Sequence, residues 1–319
     1  MNQRVILIAD RVSEHDTSKI GGVGFEKLSD FYFSNLLAAI EIHFECVVLE
    51  SPTDFIDNIR SYSSDIVLSL WSGENSRSRR ALVPSICEAY GIRYVGSDPY
   101  TQTICQDKHL TKSFLREFGI NTPQGVLIKS QDDIQNIQYL STPLVIKPNY
   151  EGGSIGITKD SLQHSHQDAA EYALNLLDQF SQTILVEEFV PGSEISVVLF
   201  GNDTDVEIVD VLELEIGDFD PTTDIYSLEM KKNDDIQKRR IRYLGLSSGQ
   251  KERLKNLFLC LDKVDVLRID GRVCENQFVV LELTPDISFE KGCYLSEAFK
   301  NKGYTYDLMI KKIIDNVKY

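Results

Sequence analysis

Apolar and polar positions along the first hundred or so residues follow two periods in turn. RVILIAD, FECVVLE, DIVLSLW and RYVGSD are short apolar runs with the length and β-branched content of buried strands. Between them GFEKLSDFYFSNLLAAIEI, SPTDFIDNIRSYS and SRRALVPSICEAYG repeat apolar residues at three- and four-residue spacing, which predicts helices. Ser51 and Pro52 form an N-cap and first-turn pair, and Gly91 is placed to end the helix before Arg93. Such alternation predicts a parallel α/β layer with Rossmann-like wrapping.

One helix, TQTICQDKHLTKSFLREFG, is expected to follow and to stop at Gly119, where GINTP breaks the chain. Beyond it the pattern becomes α+β: GVLIKS, PLVIKP, a helix over HQDAAEYALNLLDQF, then TILVEEF, EISVVLFG and VEIVDVLELE. Residues 217–235 are polar, rich in aspartate and aperiodic, and read as a long mobile loop of the sort used for lids. A helix in SSGQKERLKNLFLCLDKV, strands VLRIDGRV and FVVLEL, and the helix YDLMIKKIIDNV close the chain.

With 319 residues, 42% of them hydrophobic, the chain can bury more than one core. Its 33 basic and 49 acidic residues leave a net charge of -16, which repels a phosphate backbone and argues against nucleic acid as a partner. No apolar run reaches membrane-spanning length and MNQRVILIAD carries no basic leader, so a cytoplasmic location without a membrane partner is expected. Six cysteines without CxxC spacing read as reduced, mostly core residues.

The stretch VIKPNYEGGSIGITKD places Lys147 at the end of an apolar run and then crowds Gly152, Gly153 and Gly156 around Ser154. Glycines let backbone amides converge on an anion, and a nearby ammonium balances its charge. The lysine precedes the glycines, so this is not a P-loop, and a hairpin turn with an exposed lysine is the bland alternative.

Further segments add to that pairing. GIRYVGSDPYTQTICQDKHLTK, PLVIKPNYEGGSIGI, TILVEEFVPGSE, VLRID and VVLEL occur in an order and spacing that resemble the ATP-grasp superfamily, in its D-alanine:D-alanine ligase-like branch. The resemblance covers nearly the whole chain. It implies an α/β and α+β ATP-grasp fold with an N-terminal Rossmann-like domain over 1–97, a central subdomain over 98–186, and a C-terminal subdomain with the metal site over 187–319.

By that resemblance Lys108 and Lys147 hold the nucleotide phosphates, and the loop from Glu151 to Gly156, with Gly153, folds over them as Ser154 donates. Glu187 and the backbone at Val190 read adenine, with Glu188 beside them, and Glu194 accepts from the ribose hydroxyls. IYSLEMKK resembles the family's lid motif, which makes Lys231 the lysine that reaches the terminal phosphate. Asp270, Glu282 and Thr284 match the metal ligands, Glu282 bridging two Mg²⁺ ions or their Mn²⁺ substitutes, and Arg268 matches the arginine that steadies the transferring phosphoryl group. Solvated loop and strand-end charges are the bland alternative for these acids.

The implied activity is ATP-dependent joining of a carboxylate to an amine through an acyl phosphate, with ADP released. The expected substrates are an amino acid and a second amino acid or small metabolite, and a second copy of the chain is a further expected partner. D-Alanine:D-alanine ligase is the alternative within the class. A catalytically weakened nucleotide-binding protein and a phosphotransferase are the alternatives outside it. Three departures bear on the choice. Thr284 stands where the family has asparagine, and the following Pro-Gly is replaced by Pro285-Asp286-Ile287-Ser288. The N-terminal substrate loop is absent, with Glu14 as its only stand-in. Arg77, Arg79 and Arg80 replace a histidine-glycine loop, offering either a receptor for a substrate carboxylate or a solvated helix start.

Overall fold

The structure, a computed structural model, describes residues 3–11, 27–73, 76–202, 204–233 and 235–317. Glu14 lies outside the described residues. The first layer is a parallel sheet in the order β2-β1-β3-β4, built from β1 (Arg4–Ile8), β2 (Glu45–Leu49), β3 (Ile66–Ser69) and β4 (Arg93–Val95). β1 is buried from Val5 to Ile8, as expected where helices cover both faces of a parallel sheet. Ser51 caps the helix Pro52–Asp57, and Gly91, at φ 65°, ends the helix Leu82–Tyr90 in the left-handed conformation that glycine adopts without strain.

Two antiparallel sheets follow. One runs β5-β8-β6-β7, from β5 (Gly125–Ile128), β6 (Leu144–Pro148), β7 (Leu162–Gln163) and β8 (Ile184–Glu188). The other runs β11-β10-β9-β12-β13, from β9 (Ser193–Gly201), β10 (Val206–Ile216), β11 (Lys238–Arg242), β12 (Val266–Cys274) and β13 (Gln277–Thr284). β8 continues through the boundary expected between residues 186 and 187.

Side-chain packing groups these sheets unequally. The helices Asp30–Glu41 and Tyr306–Asp315 share one core with β1, β9 and β12, through Leu36, Ile40, Met309, Ile310, Val198 and Val266. The first layer is thereby packed onto the last sheet. The four-stranded antiparallel sheet closes a separate core with the helix His166–Phe180, through Ile128, Ile146, Ala173 and Val186. Its glycine turn is therefore carried on an independently packed unit.

Several elements differ from the sequence pattern. The helix expected over residues 101–119 is two helices, Pro99–Gln106 and Lys108–Glu117, parted at Asp107. Asp107 leaves helical geometry, at ψ 98°, and its carboxylate accepts from the Leu110 amide and the Asn149 side chain. An N-cap thus wins over continuous helix propensity, and the break presents Lys108 at the start of a helix. The expected loop 217–235 contains the short helix Leu228–Lys232, capped by Ser227. The edge strand β11 and the helix Tyr294–Asn301 are not among the expected elements, although Leu295, Ala298 and Phe299 of the helix are buried at helical spacing. Among the cysteines Cys87 and Cys105 are core residues, whereas Cys260 is exposed. Among the described residues no helix is long and apolar enough to cross a membrane.

Candidate active site

A cavity of about 640 Å³ lies between the two antiparallel sheets and is bounded by the end of the first layer. On β6 the Lys147 side chain shares a face with Glu187 of β8, because Val145 pairs with Glu187 and Lys147 with Leu185. Both are buried, and Lys147 donates to the Glu187 carboxylate. Lys112, on the helix Lys108–Glu117, faces the other carboxylate oxygen at 3.0 Å as an ion pair without hydrogen-bond geometry, and donates to Leu281 O at 2.9 Å. Burial alone would raise the Glu187 carboxyl, but Lys112 and Lys147 hold it below its usual range. Burial, aided by the neighbouring Lys147 cation, brings Lys112 down to about 8 against the pull of Glu187. The Glu187 side chain is thus spent on two lysines, leaving only its backbone to face a base.

The turn after β6 has positive φ at Gly153, Ser154 and Gly156. At Gly156 a Cβ would stand 2.5 Å from Pro148 Cγ and 2.9 Å from Phe180 Cζ, so the site tolerates no side chain. Lys108 donates to Glu151 O from its buried position, and its ammonium lies 3.7 Å from Glu282. The Glu151 carboxylate accepts from Arg79 at 3.1 Å and from Gln182 at 2.8 Å. Two of the three arginines are accordingly neither free carboxylate receptors nor solvated, while Arg77 is exposed. Arg79 ties the first layer to the glycine turn, Arg80 pairs with Asp286, and Arg77 lies over the Tyr150 ring.

The facing wall is set by β12, whose side chains alternate without interruption against β9: Arg268 opposite Val198, Asp270 opposite Ser196, Arg272 opposite Glu194. Arg268 donates to both Asp270 oxygens at 2.8 Å, and Ser196 donates to Asp270 at 2.6 Å. Asp270 pairs across the strands with Glu282, after which a bulge in β13 frees Leu281 to turn its carbonyl to Lys112. The Thr284 hydroxyl stands 3.4 Å from Asp270 and from Arg268 Nη2. Across the cavity Lys231 reaches the glycine turn, its ammonium 3.9 Å from where a Cβ on Gly153 would lie. Desolvation in the cleft, and then Arg268, lower its pKa, with Glu282 and Asp270 opposing. Lys231 is an exposed residue that also lines the cavity, which fits a long side chain carrying its charge inward from the surface.

Glu194 and Val190 are brought together by a residue the sequence pattern did not single out. Arg272 donates to Glu194 at 2.6 Å and 3.1 Å, to Val190 O at 2.9 Å, and to Pro221 O and Asp224 O in the segment 217–235. It also lies over the Phe189 ring. Its signal was available as parity with Arg268 and Asp270 along VLRIDGRV. Glu188 lines the cavity and accepts from the Ser141 amide at 2.8 Å.

For a metal, the donor chemistry is the test. Asp270, Glu282 and Thr284 offer only oxygen, the choice of a hard divalent cation. Among the described residues no group of three acidic, histidine or cysteine side chains converges, so two carboxylates and a hydroxyl are what the wall presents.

Two antiparallel sheets closed over one cavity, with lysines and a glycine turn on one and paired acids with an arginine on the other, define an ATP-grasp enzyme. Residues 114–315 match the family described as D-ala D-ala ligase C-terminus. The chain belongs to this family, of ATP-dependent, ADP-forming ligases that join a carboxylate to an amine. It is 27% identical over 315 residues to a D-alanine--D-alanine ligase of Aquifex aeolicus, covering 97% of this chain and 99% of that protein. A D-alanine--D-alanine ligase of a Marinomonas species is 30% identical over 280 residues, with 82% and 80% covered. The solved VanG D-Ala:D-Ser ligase of Enterococcus faecalis superposes with a TM-score of 0.75 over 99% of each chain at 18% identity, a likeness of fold.

Proposed function

We propose that this ligase activates the carboxylate of an amino acid with ATP and transfers the acyl group to the amine of a second amino acid or small metabolite. The observation that carries this reading is the placing of Arg268, Asp270, Glu282 and Thr284 on one wall, across a single cavity from Lys108, the glycine turn and Lys231. In this reading Lys108, Lys147 and Lys231 neutralise the triphosphate, and the amides from Glu151 to Gly156, with Ser154, cover it. The backbone at Glu187 and Val190 reads adenine beside Glu188. Glu194, oriented by Arg272, takes the ribose. A carboxylate oxygen of the acid attacks the γ-phosphorus in line, ADP leaves, and the amine then displaces phosphate from the acyl phosphate. Arg268, already fixed by Asp270, meets the charge that develops at that centre without reorganising.

Asp270, Glu282 and Thr284 would hold Mg²⁺, which when bound supplies charge neutralisation at the phosphoryl oxygens. A threonine hydroxyl keeps a neutral oxygen donor but shortens its reach relative to asparagine. Thr284→Asn is expected to lower the Mg²⁺ concentration for half-maximal turnover severalfold, about the 10-fold scale of ligand-shell changes. A metal titration of both proteins checks this, and an unchanged midpoint removes Thr284 from the site.

Phosphate release measured with panels of acids and amines tests the function itself. ADP and phosphate should appear only when an acid and an amine are both present, with a mass-spectrometric product one water lighter than their sum. Pyrophosphate would exclude acyl-phosphate chemistry. D-Alanyl-D-alanine is the second reading, favoured by the relatives' names, and its formation from D-alanine alone would establish it.

A further inference from the structure

One cation on the cavity wall has no role in the chemistry described so far. Arg240 stands on edge strand β11 opposite Leu214, and its guanidinium carbon lies 4.7 Å from the centre of the Tyr294 ring. Arg268 lies over the same ring at 5.1 Å. Arg268 is committed to Asp270. Lys238, the other cavity-lining cation of β11, is anchored on Lys231 O at 2.8 Å and Asn233 O at 2.9 Å. Arg240 differs from both: its Nε is buried without a hydrogen-bond partner, and among the described residues no carboxylate pairs with its side chain. Tyr294 cannot serve as the missing anion, since burial and the nearby Asp270 push its phenol up and keep it neutral.

A buried guanidinium donor left unpaired is costly, so this one is complete only when an anion enters the cavity. The nucleotide's proposed phosphates already have Lys108, Lys147, Lys231 and the glycine turn, and on the sheet that carries Arg240 its ribose falls to Glu194 of β9, so Arg240 is left over from that cradle. The acid substrate's carboxylate must attack phosphorus, and a planar fork gripping both its oxygens would hold back the lone pairs it reacts with. A carboxylate on the amine-bearing substrate is not consumed. Held one aromatic ring away from Arg268, it would orient the amine toward the acyl phosphate.

We propose that Arg240 is the specificity-determining residue of the amine subsite: it takes a carboxylate of the amine-bearing substrate, which is therefore an amino acid and not a simple amine. This rests on the ligase reading above. The experiment offers D- and L-amino acids as acid donors, with each free amino acid and its carboxamide competing as amine. The carboxamide lacks an acid and can act only as acceptor. Wild-type protein should favour the free amino acid about 10- to 100-fold in product, the worth of one charged hydrogen bond. Arg240→Met should bring the preference to within about threefold, while the KM for ATP and the ATP-induced thermal shift stay unchanged, and Arg240→Lys should restore part of it.

An unchanged preference in Arg240→Met, or a raised KM for ATP in its place, overturns the proposal and leaves the ligase reading intact. Absence of phosphate release with every pair sinks the ligase reading instead. Calorimetry with a non-hydrolysable ATP analogue then still decides Arg240: wild-type binding of a free amino acid over its carboxamide, lost in Arg240→Met, supports the proposal, and equal binding by both proteins overturns it.

Discussion

Glu282→Gln is expected to reduce ATP turnover by at least about 1,000-fold while leaving nucleotide binding in place. The Glu282 carboxylate is the cross-strand partner of Asp270 and lies 3.7 Å from the Lys108 ammonium, so it stands where the charges of both walls meet. Asp270 is already neutralised by Arg268, which makes Glu282 the acid with negative charge to offer an incoming cation. The amide keeps the size and one oxygen but removes that charge. Because the backbone proposed to read adenine lies on β8 and at Val190 just beyond it, ATP should still raise the unfolding temperature of the variant. Turnover at the wild-type rate with wild-type Mg²⁺ dependence would force the metal site, and the phosphoryl-transfer centre, to be placed elsewhere.

The second large effect is expected at Lys147, where one substitution should act on both stability and binding. Removing a partner from a buried ion pair costs about 3–5 kcal/mol because the remaining charge is left without compensation. Lys112 stays beside Glu187, so Lys147→Ala should fall at the low end, about 3 kcal/mol. The same variant should lose most of the stabilisation by ATP, which for wild-type protein at 100 times Kd amounts to about 2.7 kcal/mol. Thermal unfolding with and without ATP and Mg²⁺ separates the two terms. A variant of unchanged stability would contradict the buried triad, and one that keeps the full ATP shift would contradict the phosphate role.

The Lys147 pairing also shows why position in sequence and position in the site are different kinds of information. A lysine before a glycine turn was legible as a pairing because both features are local. That Glu187 would be consumed by Lys147 and Lys112 was not, since the three come from two strands and a helix whose meeting is set by sheet register and packing. The same holds for the arginines: their number was legible, but Arg79 and Arg80 find Glu151 and Asp286 only because the first layer docks against the other units.

By itself the sequence determined what periodicity and short-range spacing encode. It set the parallel α/β layer, the long strands β9, β10, β12 and β13, the glycine turn with Lys147, and the alternation that puts Arg268 and Asp270 on one strand face. These depend on backbone geometry within about ten residues, where side-chain direction follows from the period alone. Tertiary structure decided the break at Asp107 that presents Lys108, the edge strand carrying Arg240, the contacts by which Arg272 joins Glu194 to Val190, and which charges are spent on one another and which remain for a ligand. Those outcomes depend on partners tens of residues away, and a charge acquires its pKa, burial and availability only from the groups that folding brings against it.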